Sequence, residues 1–403
     1  MSTERPCVGI DISANALTVA ITYVLDQRGN PIPPYHLDLD ELWWQRLLDL
    51  CTPRGVIICE PTGWHYSAPV VQLLHDYGCE VYYADHYAAN DIRRLVPKCG
   101  HKSDDNDARA LCFIAHAVAH KQPIAGVHRA DPARLAVGLQ LRTLVSAYDR
   151  ATKDGARAKN RLRQLAHCIS PILADRIDTY LELVKRGYAQ PSAIRALAQD
   201  IEDGKVSFGR GRRNPTIVAL AKRLPPNLGE HPLAAVLEFE VNALAAATDR
   251  AAFIQQQIKA IVSAPPLARL TELWSSVPSS SLLDIAKIHA ANYGQADRLT
   301  YQQFRSNCAS TPHTHKQSGD VEIVRATWKG YKPAKIALTL WTLRLLKSDN
   351  PIRRKYELAV ARQAVNSNGK SKAIAIARSK LLEILHSIMR TGRPYYDKES
   401  RHE

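Results

Sequence analysis

The chain has 403 residues, enough for two or three domains of ordinary size. Hydrophobic residues make up 45% and charged residues 23%, which excludes a wholly disordered chain, a collagen and a small disulfide-framework protein. The sequence shows no secretory signal and no run of about 18 apolar residues, so we expect neither export nor a membrane span. Eight cysteines without a C-x-x-C pair predict reduced thiols in a cytoplasmic protein.

The net charge is +15, and it is distributed unevenly. Residues 1–125 carry a net charge of −5, whereas residues 126–403 carry +20. An acidic head joined to a basic body indicates a polyanionic partner, and we expect that partner to be nucleic acid. The competing interpretation is that the positive charge serves only solubility.

The acidic head alternates between strand-like and helix-like segments. Two β-rich runs, 7–13 and 18–24, are close enough to form a hairpin, and the apolar runs 56–60 and 80–84 predict two further strands. The spacing of apolar residues predicts four helices, the first with Asp40 as its N-cap, over 40–51, 67–77, 87–96 and 103–120. Strands that alternate with helices in this order predict an α/β layer fold with a mixed sheet.

Strand signals nearly vanish after residue 123. A long helical pattern covers 134–169 and a second covers 238–262, so we expect the two to pair as a helical hairpin or coiled coil. One side of the first helix carries six cations and one carboxylate between residues 150 and 163. We interpret that side as a phosphate-facing surface rather than a solvated face. Its candidate nucleic-acid contacts are Lys153, Arg157, Arg161 and Arg163.

Two polar segments interrupt the helical pattern. Glycines and a proline predict a flexible basic loop over 208–215, inside a stretch, 170–235, that has no clear periodicity. The segment 306–320 is polar, contains proline and glycine, and is also predicted to be a loop.

Helices resume near the end of the chain, over 333–347, 351–364 and 371–391. Residues 321–403 hold 18 Lys and Arg against 7 Asp and Glu, which makes a second basic surface. Its candidate nucleic-acid contacts are Lys329, Lys332 and Lys335.

Four carboxylates occupy positions that together favour a metal site. Asp11 lies inside an apolar strand, where an unpaired carboxylate is costly, and Glu60 ends a second apolar strand. Asp104 and Asp107 are three residues apart at the start of a helix and therefore project from one side of it. Clustered carboxylates repel one another, and a hard cation such as Mg²⁺ relieves that repulsion by taking oxygen ligands.

Each carboxylate also has an ordinary structural alternative. Asp104 is placed to cap the helix, Asp107 to interact with the helix dipole, and Glu60 to serve a turn. The set of four, at a strand centre, a strand end and a helix start, favours two Mg²⁺ ions instead. Two such ions activate a nucleophile and stabilise the leaving oxygen of a phosphodiester.

Three motifs surround these carboxylates: V-G-I-D-I-S at 8–13, C-E-P-T-G at 59–63 and K-S-D-D-N-D-A at 102–108. With the basic helix 141–169 and the Ser318-Gly319 pair in the polar loop, they resemble the DEDD transposases of bacterial insertion sequences. That family is related to the pilin-gene DNA invertase, and its N-terminal domain resembles the Holliday-junction resolvase RuvC. The resemblance covers nearly the whole chain.

The resemblance implies the roles of individual residues. It makes Asp11, Glu60, Asp104 and Asp107 the catalytic, metal-binding tetrad and Ser318 the nucleophile, which forms a covalent phosphoserine intermediate. It further implies a substrate of DNA, a structured guide RNA encoded by the element, a homo-oligomer, and action at the nucleoid in the bacterial cytoplasm.

The resemblance also implies a domain organisation. We expect an RNase H-like (RuvC-like) metal-binding domain over 1–125. A helical region with a basic insertion follows over 126–265, and a helical transposase domain that carries the serine covers 266–403.

Several alternatives stay open. The nucleophile is Ser310 or Thr311 if one of these neighbours, and not Ser318, corresponds to the serine of the family. The enzyme is a Mg-dependent junction nuclease if water attacks the phosphodiester instead of a serine. A non-catalytic nucleic-acid-binding protein would use the basic body alone. A hydrolase-type serine–histidine pair is disfavoured, because the chain has no G-x-S-x-G elbow. The segment 277–281 lacks the glycines that the family carries there, so we do not expect a tight phosphate-binding turn.

Overall fold

A computed structural model describes residues 6–21, 33–60, 64–84, 86–95, 101–188, 191–207, 213–224, 228, 231–308, 314–318, 321–325, 330–362 and 369–395. The chain divides into two compact units. Residues 1–142 and 261–403 form the first, here called the core unit, and residues 143–260 form the second, here called the helical unit. A mixed sheet followed by a mainly helical body agrees with the predicted α/β head and helical remainder.

The core unit contains a six-stranded mixed sheet. Its strands are β1 Cys7–Ile12, β2 Ala16–Ile21, β3 Tyr35–Asp38, β4 Val56–Cys59, β5 Glu80–Ala84 and β6 Val127–Arg129, in the order β3-β2-β1-β4-β5-β6. β1, β4 and β5 are parallel, and the other pairings are antiparallel. The four predicted strands are confirmed as β1, β2, β4 and β5. The sequence patterns do not predict β3 and β6, because both are short and largely polar.

Four helices cover the sheet: α1 Trp43–Leu50, α2 Trp64–Asp76, α3 His86–Leu95 and α4 Asp104–Ala119. α1 and α2 pack on one face, and α3 and α4 contribute to the hydrophobic cluster on the other. The prediction of Asp40 as a helix cap is wrong. Its side chain accepts a hydrogen bond from the Leu42 amide at 3.0 Å, and Leu42 is the residue that precedes α1.

Helix α4 lies directly on β1 at Gly9. A Cβ atom on Gly9 would lie 2.7 Å from the carbonyl carbon of Leu111, and closer still to the Cys112 amide and the Ala108 carbonyl oxygen. Only glycine allows this approach of helix to strand. Ala20, the cross-strand partner of Gly9, joins Ala108 and Cys112 in a cluster of small buried side chains at the contact.

The helical unit contains most of α5, Pro132–Ile169, and five further helices, α6 Pro171–Asp175, α7 Ile177–Lys185, α8 Pro191–Glu202, α9 Arg213–Arg223 and α10 Ala234–Val262. α5 and α10 pair as the predicted helical hairpin: Arg161 binds the buried Glu240 at 2.6 Å, and Gly155 faces Leu244 and Ala247.

The predicted basic loop over 208–215 is wrong for residues 213–215, which begin α9. The reason is that proline is well tolerated in the first turn of a helix. Residues 208–212 lie outside the described part of the chain.

The C-terminal part of the core unit is attached to the sheet through the first turns of α5. Gly138 lies against the backbone of Tyr293, so closely that a Cβ atom would overlap it. Nη1 of Arg134 lies 2.7 Å from both carboxylate oxygens of Asp297. Tyr293 itself belongs to the hydrophobic core that α1 and α2 share with the sheet. These contacts join the first and last thirds of the chain into one unit.

Six helices complete the core unit: α11 Ala268–Ser275, α12 Leu282–Ala291, α13 Tyr301–Asn307, α14 Lys332–Leu345, α15 Pro351–Arg362 and α16 Gly369–Thr391. The last three confirm the predicted C-terminal helices to within about three residues at each end.

The polar segment 306–320, predicted to be a loop, contains a strand. β7 Thr314–Ser318 pairs antiparallel with β8 Val321–Arg325, and Ser318 lies opposite Val321. The prediction fails there because T-H-K-Q-S has low β-propensity of its own, so its conformation depends on pairing with the Val- and Ile-containing β8. The segments 309–313 and 319–320 lie outside the described residues.

The turn between α11 and α12 forms without glycine. Ser279 takes a left-handed conformation with φ of +57°. α14 holds the turn from outside, because Trp341 Nε1 donates to the Pro278 carbonyl at 2.9 Å and Arg344 Nε donates to the Ser279 carbonyl at 3.0 Å. These two hydrogen bonds therefore stabilise a left-handed backbone conformation that glycine would adopt without strain.

In the part of the chain that the structure describes, no helix is both long and apolar enough to cross a membrane. No disulfide joins the cysteines of that part, and all of them except Cys168 are buried.

Gly9→Ala is expected to destabilise the core unit by at least about 2 kcal/mol, because α4 must move away from β1 to admit the methyl group. Gly155→Ala is the matched control. A Cβ atom there meets only side-chain carbons at 3.7 Å, an ordinary contact. Removing this helical glycine should stabilise the protein by about 0.5–1 kcal/mol. Urea unfolding followed by circular dichroism measures both changes, and equal shifts in the two variants would contradict the argument.

Candidate active site

The candidate site lies where β1 and β4 end. Parallel pairing aligns Ile10 with Cys59, so the next residues along, Asp11 and Glu60, follow side by side on neighbouring strands. Register partners point to the same face of a sheet, and alternation along β1 puts Asp11 on the face of Gly9. That is the face on which α4 lies, so both carboxylates belong to the α4 side of the sheet.

The N-terminus of α4 supplies the other two carboxylates. Ser103 caps the helix, and its hydroxyl accepts a hydrogen bond from the Asn106 amide at 3.3 Å. Capping therefore does not account for Asp104. Asp104 is exposed, whereas Asp107, one turn later on the same side of the helix, is only 7% exposed.

The negative charges of three of the carboxylates act on the fourth, Asp11. Burial, together with the negative charges of Asp104, Asp107 and Glu60, raises the pKa of Asp11 to about 6. A hydrogen bond with the Ile12 backbone opposes this shift without cancelling it. The structure thus places Asp104, Asp107 and Glu60 near enough to Asp11 for their negative charges to act on it.

A buried arginine that no sequence motif marks contacts this cluster. Arg93 of α3 forms an ion pair with Asp107, and its Nη2 donates to Asn90 Oδ1 at 2.6 Å. The side chains of Arg93 and Asp107 are 11% and 10% exposed. The pair fixes the orientation of the Asp107 carboxylate and balances part of the negative charge around it. Arg93 stands in an amphipathic helix beside Arg94, and nothing in that pattern distinguishes the buried arginine from its neighbour.

A second polar contact ties the sheet edge to α4. His36 on β3 is the cross-strand partner of Thr18, and its Nδ1 lies 3.4 Å from Thr18 Oγ1. Its Nε2 lies 3.0 Å from Asp105. Thr18 is in turn the cross-strand partner of Asp11. Asp105, the one carboxylate of its motif that is not assigned to the tetrad, therefore has a structural partner of its own.

The donor set fits a hard divalent cation. Carboxylate oxygens alone, without sulfur or imidazole, are the ligands that Mg²⁺ takes in proteins. The raised pKa of Asp11 reflects negative charge that a cation would compensate. As the side chains stand, no three His, Cys, Asp or Glu among the described residues are arranged to hold a metal ion, and the Asp107 carboxylate is paired with Arg93 instead. The residues that would hold an ion are Asp11, Glu60, Asp104 and Asp107.

Ser318 is the last residue of β7, in the hairpin that β7 and β8 form. Its side chain lies outside the described part of the structure, as do the residues Ser310, Thr311 and Lys329. The carboxylate cluster on the sheet and the hairpin that carries Ser318, which lies between α13 and α14 in the chain and is here called the serine hairpin, belong to the same unit.

The base of the serine hairpin is firmly held. The Tyr331 amide donates a hydrogen bond to the Asn307 carbonyl at 2.8 Å, which joins the two ends of the excursion. The guanidinium of Arg142, on α5, lies 4.4 Å from the ring centre of Tyr331 and 4.7 Å from that of Tyr293. These cation–π contacts fix the base of the hairpin to α5, the helix whose first turns attach the C-terminal part of the core unit to the sheet.

The predicted nucleic-acid contacts on α5 have different surroundings. Lys153 is exposed, and the exposed Arg157 pairs with Asp154, its neighbour on the same helix, at 3.3 Å. Arg161 is engaged by Glu240 of α10 within the helical hairpin. Lys153 and Arg157 are therefore available to an external phosphate, whereas Arg161 has an internal partner.

The remaining predicted nucleic-acid contacts with described side chains lie on α5 and α14. Arg163 lies 3.8 Å from Asp178, which Lys159 also binds at 2.6 Å. Lys332 is exposed at the start of α14, and Lys335 is half-buried one turn later.

Asp11→Asn is expected to stabilise the metal-free protein at about pH 8. Because the pKa of Asp11 is raised in the folded protein, the folded state holds this proton more tightly than the unfolded chain does. The wild type therefore loses stability as pH rises from about 4 to about 6, and the amide variant does not. The difference is at most about 3 kcal/mol, and less because the group is partly exposed.

Urea unfolding in EDTA at about pH 8 and about pH 4 measures this difference, which should be largest at the higher pH and small at the lower. Asp49→Asn, which removes an exposed carboxylate from α1, is the control and should show no such dependence. An advantage of the Asp11 variant that is equal at both pH values would mean that the repulsion is absent.

Residues 8–171 match the family model of the IS110-type DEDD transposases, whose description is transposase. The match begins in β1, includes all four clustered carboxylates and ends where α6 begins. The curated proteins contain no match to the chain. Over this segment, about two fifths of its length, the chain is similar to the IS110-type DEDD transposases, and this similarity supports an activity in DNA transposition and recombination.

Proposed function

We propose that this transposase cuts and rejoins DNA at the ends of an insertion sequence with two Mg²⁺ ions, bound by the four clustered carboxylates, and a serine nucleophile. The observation that carries the proposal is the meeting of Asp11, Glu60, Asp104 and Asp107 at the ends of β1 and β4 and the start of α4. Binding of divalent cations would remove the repulsion that raises the pKa of Asp11.

The sheet supports an RNase H-like, RuvC-like head. Three antiparallel strands, β3-β2-β1, are followed by two parallel ones, β4 and β5, and a helix that carries two carboxylates packs on the first strand. Acidic side chains that come from two strands and one helix support metal-dependent phosphoryl transfer, because that chemistry uses carboxylates as metal ligands.

The residues of the cluster have separable roles. Bound Mg²⁺ would supply Lewis-acid stabilisation of the phosphate and activation of the attacking hydroxyl. Asp11 and Glu60 are held by the strands and define the position of the site, and Arg93 keeps the Asp107 carboxylate oriented. Asp104 is exposed, so its side chain is able to turn toward a ligand.

The serine step conserves the energy of the bond that it breaks. Oγ of Ser318 forms a bond to phosphorus while the bond from phosphorus to the deoxyribose oxygen breaks. The hydroxyl proton of the serine passes to solvent, and the departing oxygen takes up a proton. The resulting phosphoserine ester is resealed by the reverse reaction without ATP. A strand anchored at its base between Asn307 and Tyr331 supports this role.

The partners follow from charge and from the family. Residues 126–403 carry a net charge of +20, which supports binding of DNA and of a structured guide RNA from the element. We assign metal binding to 1–125, nucleic-acid contacts to 126–265 and the serine to 266–403. The enzyme acts as a homo-oligomer, a dimer or a tetramer, at the bacterial nucleoid.

Ser318→Ala should abolish covalent attachment of DNA while leaving DNA binding and Mg²⁺ binding intact, because the carboxylates and the basic helices are unchanged. The measurement is denaturing electrophoresis of labelled element-end DNA after incubation with protein and Mg²⁺, followed by peptide mapping of the adduct. The wild-type adduct should map to the peptide that contains Ser318.

Three further results bear on the same reaction. Asp11→Asn, or EDTA with the wild type, should yield neither cleavage nor adduct. An adduct on Ser310 or Thr311 would keep the mechanism and change the nucleophile. Normal cleavage by Ser318→Ala, with no adduct at any stage, would replace the transposase mechanism with that of a junction nuclease that uses water.

Replacing Lys153 and Arg157 together by glutamine should weaken DNA binding and reduce the slope of log affinity against log salt by roughly one for each phosphate that is no longer neutralised. Fluorescence anisotropy over a range of salt concentrations measures this slope. Arg161→Gln is the contrasting variant: it leaves the buried Glu240 without its arginine, so the thermal unfolding midpoint should fall. An unchanged slope in the double variant would identify these residues as part of a solvated face.

A further inference from the structure

A cavity of about 380 Å³ opens in the C-terminal part of the core unit. Its lining comes from α11, the end of α16, the first turn of α5 and the segment around Gly294 and Asp297. The volume falls within the range of small-molecule sites in proteins, roughly 300–1,000 Å³. The lining includes no carboxylate of the metal tetrad and none of the predicted nucleic-acid contacts. This place in the fold, here called the α11–α16 cavity, is therefore separate from the candidate active site.

The walls of the α11–α16 cavity are fixed to one another. Trp274 Nε1, on α11, donates a hydrogen bond to the Leu385 carbonyl of α16 at 3.0 Å. The ion pair of Arg134 with Asp297, at 2.7 Å, joins the first turn of α5 to the segment that forms the neighbouring wall. The cavity is thus preformed by packed helices.

The carboxylate that lines the cavity is already neutralised. Nη1 of Arg134 lies 2.7 Å from both carboxylate oxygens of Asp297. Asp131, the other carboxylate near Arg134, also pairs with Arg298 at 3.1 Å. These contacts leave the remaining charged residues of the lining, Arg269 and Arg390, without a carboxylate.

Arg269 and Arg390 approach the cavity from opposite walls. A Cβ atom on Gly392 would lie 3.7 Å from Nη2 of Arg269, so this guanidinium reaches from α11 across to the end of α16, where Arg390 also lies. Both arginines are exposed, and neither side chain forms a hydrogen bond or an ion pair with another described residue. Glu272, one turn after Arg269 on α11, does not pair with it either. Two guanidinium groups are therefore available to an anion from outside.

The rest of the cavity wall is largely apolar. Leu267, which is 2% exposed, lines the cavity together with further apolar side chains, Pro266, Leu270, Leu273 and Met389. An apolar wall beside unpaired guanidinium groups matches the two halves of a nucleotide, a flat base and an anionic phosphate. Arginine also binds phosphate oxygens through its planar fork and stacks on bases.

We propose that the α11–α16 cavity binds one unpaired nucleotide of a nucleic-acid strand, with the phosphate on Arg269 and Arg390 and the base against the apolar wall. A duplex keeps its bases stacked inside, so its phosphates would reach the arginines but its bases would not enter. The net charge of +20 over residues 126–403 favours nucleic acid over a small anion. The inference rests on the proposed function for its ligand, and it is independent of the metal tetrad and of which hydroxyl attacks.

The test uses the full-length protein and the double variant Arg269→Gln/Arg390→Gln. Affinity for a labelled oligothymidylate, an oligouridylate of the same length and a blunt-ended DNA duplex is measured by fluorescence anisotropy at several salt concentrations. We expect roughly tenfold weaker binding of one or both single strands, a salt slope smaller by about one, and a much smaller loss on the duplex. Weakening confined to one single strand identifies DNA or RNA as the source of the nucleotide. Equal losses on single strands and duplex would overturn the proposal.

A second variant tests the cavity without changing the charge. Thr391→Trp places a large side chain at an exposed position of the lining. Single-strand binding should weaken while the salt slope stays that of the wild type, because the phosphate contacts remain. Unchanged single-strand affinity would place the base outside the cavity and overturn the proposal. Both variants should keep the wild-type thermal midpoint, since they alter exposed side chains, and a lower midpoint with unchanged affinity would show a structural role instead.

The matched control is Lys347→Gln/Arg362→Gln, which removes two exposed charges that have no described ion-pair partner and lie outside the cavity. Its loss of single-strand affinity should be much smaller, and a loss equal to that of the arginine variant would reduce the effect to net charge and overturn the proposal. Wild-type protein that binds none of the three probes would overturn the proposed function as well. Tight wild-type binding that the arginine variant retains would overturn only the nucleotide site.

Discussion

The close approach of α4 to β1 at Gly9 determines the geometry of the site. Two of the four carboxylates belong to the sheet and two to the helix, so their separation depends on how near the helix axis lies to the strand. Gly9 has no side chain, and the residues around it are small, so the helix lies as close to the strand as the two backbones allow. A larger residue would move Asp104 and Asp107 away from Asp11 without touching any carboxylate.

The core unit holds a cluster of negative charge at the ends of β1 and β4, which raises the pKa of Asp11. Repulsion within this cluster opposes folding when the carboxylates are ionised. Such local conflicts are typical of functional sites, where stability is lost in return for affinity. Arg93 reduces the negative charge of this cluster by pairing with Asp107, and the pair keeps that carboxylate ordered.

Much of this architecture can be predicted from the sequence, because it depends on local patterns. Asp11 is predicted inside an apolar strand and Glu60 at the end of another, and the position of Asp104 and Asp107 follows from helix periodicity. The contributions of Arg93 and His36 come from tertiary contacts across helices and strands, which no local pattern encodes. The strand that contains Ser318 escapes prediction for the same reason, since T-H-K-Q-S is extended only through its pairing with β8.

The hydrogen bond between Tyr331 and Asn307 makes the serine hairpin a closed loop with a defined point of attachment. The entropy of closing such a loop changes slowly with its length, so residues can be inserted or removed above the bond at small cost to the helices below. The hairpin is in this respect a module. Its length and its sequence can change while Arg142 and the helix ends at the base preserve the fold beneath it.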